Sequence, residues 1–144
     1  MATSTYSFLD LVGSIHSPVM RSDYIFTGEG AGSVSVTKSQ ERTAHDVAAD
    51  GSVMVSKVAG NNGTVTIEVQ QTSPLQKWLE KWFHYLENAD TSDWASTTML
   101  LSNQSTGEDI ICTGVSPQKE ADKPYQAQGQ RVSWTLMCAD IKYN

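Results

Sequence analysis

The chain's candidates for covalent or metal chemistry are three histidines, His16, His45 and His84, two cysteines, Cys112 and Cys138, and sixteen acids. Their spacing assembles no site. A metal centre needs His, Cys or carboxylate ligands at short intervals, as in H-E-x-x-H or C-x-x-C, and neither pattern occurs. A Ser-His-Asp set can be drawn from any chain this rich in serine, and no G-x-S-x-G elbow is present to anchor one. Gly28-Glu29-Gly30-Ala31-Gly32 has the glycine content of a phosphate loop but not the third-glycine spacing. It also carries an acid and runs into strand-like sequence, so it reads as a flexible turn. Cys112 and Cys138 each sit in an apolar run, where a thiol is a small buried hydrophobe, and the sequence leaves open whether they face each other. Asn62-Gly63-Thr64 and Asn103-Gln104-Ser105 match the glycosylation sequon but fall in turn-like sequence. The chain is therefore expected to hold no metal and no cofactor, to have no catalytic residue and not to be an enzyme.

The informative residues are small polar side chains in rows. Thr64, Thr66, Glu68 and Gln70 alternate with Val65, Ile67 and Val69, and Ser33, Ser35 and Thr37 alternate with Val34 and Val36. A period of two gives each strand one apolar face and one face of hydroxyls, with a single acid and no Lys or Arg among them, although Lys38 borders the second run. Such a face is either the solvated side of an antiparallel sheet or a wetted wall that a polyanion passes without adhering. On the second reading, acids repel phosphates only within about 8 Å at physiological salt. Residues 38–50, with Lys38, Glu41, Arg42, His45 and Asp46, form a polar stretch between two strands, which reads as a solvated loop or as a contact between copies. Trp94, Trp134 and Tyr125 would be the platform of a carbohydrate-binding sandwich, if exposed.

These rows need a sheet to carry them, and the remaining sequence supplies one. Strand-like runs occupy residues 9–15, 24–26, 33–37, 53–58, 64–70, 97–101, 109–113 and 132–138. Asp50-Gly51, Asn61-Asn62-Gly63 and residues 103–107 are turn signals between them, and residues 116–130, with Pro117 and Pro124, read as a long loop. One segment has helical period instead. Leu75, Trp78, Leu79, Trp82 and Leu86 fall at i, i+3, i+4, i+7 and i+11, with Phe83 beside them. Ser73 is an N-cap, Pro74 suits the first turn, and Gln76 completes a capping-box pattern. Gln76, Lys77, Glu80, Lys81, His84 and Glu87 form the wet side, and residues 88–90 end the helix. The fold class is therefore mainly β: a flattened antiparallel barrel or sandwich with one flanking amphipathic helix, in one domain over residues 1–144.

Composition sets the outer bounds. The chain has 144 residues and a formal charge of −6, with 39% apolar and 18% charged residues. Its pI is about 4.9 and its mean hydropathy −0.34, which argue against phosphate neutralisation and against a membrane span. The start has no basic region followed by an apolar core, so no signal peptide is read, and two cysteines are too few for a disulfide scaffold. A reducing cytoplasm is the expected place of synthesis.

In order along the chain, six pieces resemble the tail tube proteins of long-tailed bacteriophages, especially those with contractile tails. They are Tyr6-Ser7-Phe8-Leu9-Asp10-Leu11-Val12, the glycine-rich turn, Ala48-Ala49-Asp50-Gly51-Ser52, the run from Gly63 through Thr72-Ser73-Pro74, and the late strands at Asp109 and Val132. The strand-to-helix-cap piece is the most telling. The resemblance implies a structural subunit, six copies to a ring, and rings stacked into a hollow tube inside a tail sheath protein. The tape-measure protein and double-stranded DNA would pass through it without specific binding, in a virion assembled in the host bacterial cytoplasm. Bacteriocin-like and type VI secretion tubes are the near alternative. On this reading Ser33, Ser35, Thr37, Thr64, Thr66, Glu68 and Gln70 line the lumen. Lys38, Glu41, Arg42, His45 and Asp46 form the inter-ring contact, and residues 2–7 and 142–144 are arms or frayed ends.

Overall fold

The alternating segments pair as antiparallel strands, and the two-residue period decides which side of each is buried. The computed structural model describes residues 2–27 and 31–144, so Gly28, Glu29 and Gly30 of the glycine-rich turn lie outside the described residues, while Ala31 and Gly32 begin a strand. The strands are β1 (Leu11–Ser17), β2 (Ser22–Thr27), β3 (Ala31–Lys38), β4 (Thr43–Val47), β5 (Val53–Lys57), β6 (Gly63–Gln70), β7 (Thr97–Asn103), β8 (Glu108–Pro117) and β9 (Arg131–Tyr143), with helix α1 (Pro74–Glu87) between β6 and β7. Seven strands form one sheet in the order β2-β1-β7-β8-β9-β6-β3, and β4 pairs with β5 separately. The large sheet curls into a half-barrel around the core.

The core face is apolar throughout. Ile15, Val65, Ile67, Val69, Met99, Leu101, Cys112, Val115, Val132, Trp134, Leu136 and Ile141 are buried on it. The helix lays Leu75, Leu79, Trp82 and Leu86 into this surface, and Trp78 is half-buried at its margin. Burying each of these side chains is worth roughly 1.5–3 kcal/mol before entropy. Each indole N–H of this cluster finds an acceptor. Trp82 donates to Thr97 Oγ1 at 2.8 Å, Trp134 to Gln76 Oε1 at 2.6 Å and Trp78 to Ser22 Oγ at 3.4 Å. Trp78 and Trp82 stack with ring centroids 6.4 Å apart, so the pair belongs to the core.

Two glycines permit the curl. A Cβ on Gly13 would fall 2.2 Å from the Phe26 ring, so only glycine lets that ring close over β1. Gly114 has φ +64 and sits where β8 advances from Cys112 to Val115 while its partner β7 steps only from Met99 to Thr97, a bulge that bends the strand.

The structure changes the sequence reading in four places. β1 starts at Leu11, because residues 8–10 form a short 3-10 turn capped by Ser7, and Leu9 is exposed. Gln76 is buried at 5% exposure and is not on the wet side: Ser73 Oγ caps Leu75 N alone, and the Gln76 amide has turned to Trp134. β8 and β9 run longer than their apolar runs, so Lys142 and Tyr143 pair within the sheet and are not an arm. Residues 43–47 are a strand, so the stretch read as a polar loop is half of a hairpin.

Candidate assembly surfaces

Every residue expected to line a lumen lies on the sheet face opposite the helix, and the register places them side by side. Across β3, β6 and β9 the rows run Thr37–Thr64–Met137, Ser35–Thr66–Thr135 and Ser33–Glu68–Ser133, with the β6 residue in the middle of each. Gln70 faces Arg131, a cation the sequence reading did not place there because it belongs to a distant strand. The Arg131 guanidinium lies 3.9 Å from Glu68 Oε2 and crosses to Gly32, whose added Cβ would meet Nη1 at 2.4 Å. On the same face Lys142 lies 3.8 Å from Asp140. The face is therefore hydroxyl-rich, and these two cations each have a carboxylate beside them. The other half of the sheet carries a more apolar row on this side, in which Ile25, Ser14, Leu100 and Ile111 lie across β2, β1, β7 and β8. Ile25, Leu100 and Ile111 are exposed.

The edge strands are β2 and β3, each with one neighbour in the sheet. An edge strand presents backbone donors and acceptors that template pairing with another chain.

The β4–β5 hairpin stands apart from the sheet. Its base is fixed by Ser39 N donating to Asn62 O at 3.0 Å, Val58 N to Arg42 O at 2.8 Å and Ile141 N to Asn61 O at 2.8 Å. Two of the residues expected to form an inter-ring contact are engaged within the chain. Arg42 donates to Asn61 Oδ1 and Val58 O, and Lys38 Nζ sits 4.9 Å from the Tyr143 ring centroid. Glu41 lies in the approach to β4. His45 and Asp46 fall on opposite faces of the hairpin, paired with Val55 and Met54. The sequence reading took 53–58 as a strand but not its pairing with 43–47 or its exposure: Val47, Val53, Met54 and Val55 are all exposed, and Val47, Val53 and Val55 share one face. Only the whole hairpin shows that face, because the residues come from both strands. At its turn Gly51 has φ +89, and Asp50 Oδ1 accepts from the Ser52 hydroxyl and amide, which hold its pKa below the ordinary 3.8.

Other candidates resolve as structural. Trp134 is fully buried, so the Trp94, Trp134 and Tyr125 platform does not form. Cys112 and Cys138 are free and buried, and their thiols hydrogen-bond each other. Donation to Cys112, with burial, pushes the Cys138 pKa up. His84 lies near Glu87 and Glu120 on the exposed helix face, and among the described residues no group of three ligands is placed to hold a metal. No described helix is long and apolar enough to cross a membrane.

Residues 3–144 match the family model described as bacteriophage PhiTE tail tube protein. No curated protein matches the chain. Among solved structures, the chain is similar to the sheath/tube terminator of an extracellular contractile injection system, PVC, with TM-score 0.62 and 8% identity over 100% of this chain and 99% of that one. It is also similar to a chain of the PVC sheath-tube complex (TM-score 0.58, 10% identity, 97% and 91% covered) and of the anti-feeding prophage tube-terminating cap (TM-score 0.59, 8% identity, 100% and 93% covered). At these identities the likeness is one of fold.

Proposed function

The chain belongs to the bacteriophage PhiTE tail tube protein family, whose members are structural subunits of a tail tube, and on that premise we propose how its surfaces build and use the tube. Six copies close into a ring, with the β2 side of one sheet beside the β3 side of the next and the Ile25, Leu100 and Ile111 row buried at the junction. Edge strands that meet in this way turn an aggregation hazard into ring closure. Rings then stack through a head-to-tail contact, which propagates because it does not close on itself. The hairpin makes this contact through Val47, Val53 and Val55, with Glu41, His45 and Asp46 around them. An apolar seam suits subunits that each carry −6 and repel along the stack.

The observation that carries the reading is the hydroxyl-rich face that Ser33, Ser35, Thr37, Thr64, Thr66, Ser133 and Thr135 form across β3, β6 and β9, opposite the helix. Facing inward, it gives a hydrated bore for double-stranded DNA and the tape-measure protein. Arg131 and Lys142 are held by Glu68 and Asp140 and so are weakened as phosphate partners. The helix side faces outward to the sheath protein, and the tube assembles in the host bacterial cytoplasm. Electron microscopy of the purified protein tests this reading. Six-fold rings and tubes, with β3, β6 and β9 facing the bore, are expected. Monomers only, or a bore lined by the helix, would refute it.

The likeness in fold to injection-system tube components favours one second reading, a tube of a bacteriocin-like or secretion particle. Purified particles containing DNA select the virion, and DNA-free contractile particles select the alternative.

A further inference from the structure

Resting on the stacked-tube reading, we infer that a donor-lined cleft at the helix end of each subunit receives the carboxylates of Glu108 and Asp109 from the next copy in the stack. The cleft has a volume of about 280 Å³ and lies between the first turns of α1 and Lys123, Tyr125 and Val132. Gln76, at 5% exposure, lines it. Its Oε1 is taken by the Trp134 indole, a donor only, so its Nε2 carries two N–H groups that no described residue accepts. Lys77 stands beside it and makes no ion pair among the described residues. Glu80, the one acid in the lining, is held by Lys123. Gln71, also in the lining, is tied to the chain itself: it donates one N–H to Pro124 O, and its Oε1 accepts from Gln130 N at 3.1 Å. What the cleft offers a visitor is therefore N–H groups, and the chemistry that fits is a carboxylate.

The same chain carries such groups at its far end. Asp10, Glu108 and Asp109 gather where β1 begins and β8 leaves the turn after β7, and no described Lys, Arg or His pairs with any of them. Ser105 donates to Asp10, while Glu108 and Asp109 are exposed. The two ends are separated by the length of β9, which starts at Arg131 beside the cleft side of the sheet and ends at Tyr143 opposite Ile110. Its 13 residues span about 40 Å at ~3.3 Å per residue. A chain cannot satisfy its own cleft, whereas a copy stacked head-to-tail can. The acidic end also carries the base of the β4–β5 hairpin, through Ile141 and Asn61. One axial contact would then combine the hairpin's valines with this polar latch.

Three variants test the latch. Gln76→Glu keeps an acceptor for Trp134 but replaces the N–H donors with a carboxylate, and Lys77→Glu reverses an exposed charge that cannot affect folding through the core. Each is expected to raise the critical concentration for tube growth about tenfold or more, by sedimentation and electron microscopy, while rings stay intact. Combining Lys77→Glu with Glu108→Lys and Asp109→Lys should restore growth by swapping the charges. If wild-type rings elongate and both single variants elongate equally well, the latch is refuted while the tube reading stands. Weakened growth that the swap does not restore refutes Glu108 and Asp109 as the occupants. A wild-type protein that forms no tubes at all counts instead against the tube reading beneath it.

Discussion

Trp82 is the sharpest test of how the helix is held. It is fully buried, stacks on Trp78 and donates to Thr97 Oγ1, itself fully buried. Trp82→Ala removes the ring and leaves a cavity, a loss of about 3–5 kcal/mol. Trp82→Phe keeps most of the apolar volume but strands the Thr97 hydroxyl, which costs about 1–3 kcal/mol. Adding Thr97→Val removes the stranded group, so the double variant should recover most of that loss, and the two substitutions should couple by about 1 kcal/mol. Urea unfolding followed by tryptophan fluorescence and far-UV circular dichroism reads these differences. With a slope of about 2 kcal/mol per molar, Trp82→Ala should lower the midpoint by about 2 M. A loss below ~1 kcal/mol for Trp82→Ala, or equal effects of Thr97→Val with and without the indole, would refute the buried, hydrogen-bonded anchor.

Four further outcomes follow from the structure. Thr66→Lys with Gln70→Lys should leave tubes assembled but retain DNA and slow its delivery, read by infectivity and by DNA left in contracted particles; normal delivery refutes the bore assignment. Deleting residues 41–47, or excising the hairpin from 43 to 57, should give rings that do not elongate, and filaments of normal length by electron microscopy would refute the stacking role. Gly13→Ala should cost about 1–3 kcal/mol in the same melts, because the new Cβ meets the enclosed Phe26 ring. The Asp50 carboxylate has a folded-state pKa below its unfolded one, so its support of the hairpin turn is complete above the ordinary value of 3.8 and is lost as the pH falls through the depressed one. Ser52→Ala should move the Asp50 titration back up toward 3.8 by NMR, and an unmoved titration refutes the Ser52 bond as its cause.

Periodicity made most of the sheet and the helix legible. Val65, Ile67 and Val69 announce a one-sided strand, and the Leu75 to Leu86 stripe announces a helix on a sheet. The expected lumen residues come together for the same reason, since alternation places them on one face and register aligns the strands. What stayed hidden depended on partners far away in the chain. Gln76 looks solvent-facing by helical phase, yet the Trp134 indole, 58 residues on, draws it inward. Arg131 enters the hydroxyl face only once β9 is set beside β6. The residues 43–47 carry no strand signal strong enough to outweigh their charges, and they become a strand because Asp50-Gly51 folds them onto Val53–Lys57.

The separateness of the β4–β5 hairpin has an evolutionary consequence. Its side chains are exposed and add nothing to the interior, so mutations there are nearly invisible to folding while being fully visible to whichever molecule the hairpin meets. Two lineages sharing one host can thus drift into mutually incompatible interfaces, and avoid building chimeric particles, without disturbing the scaffold they inherited in common.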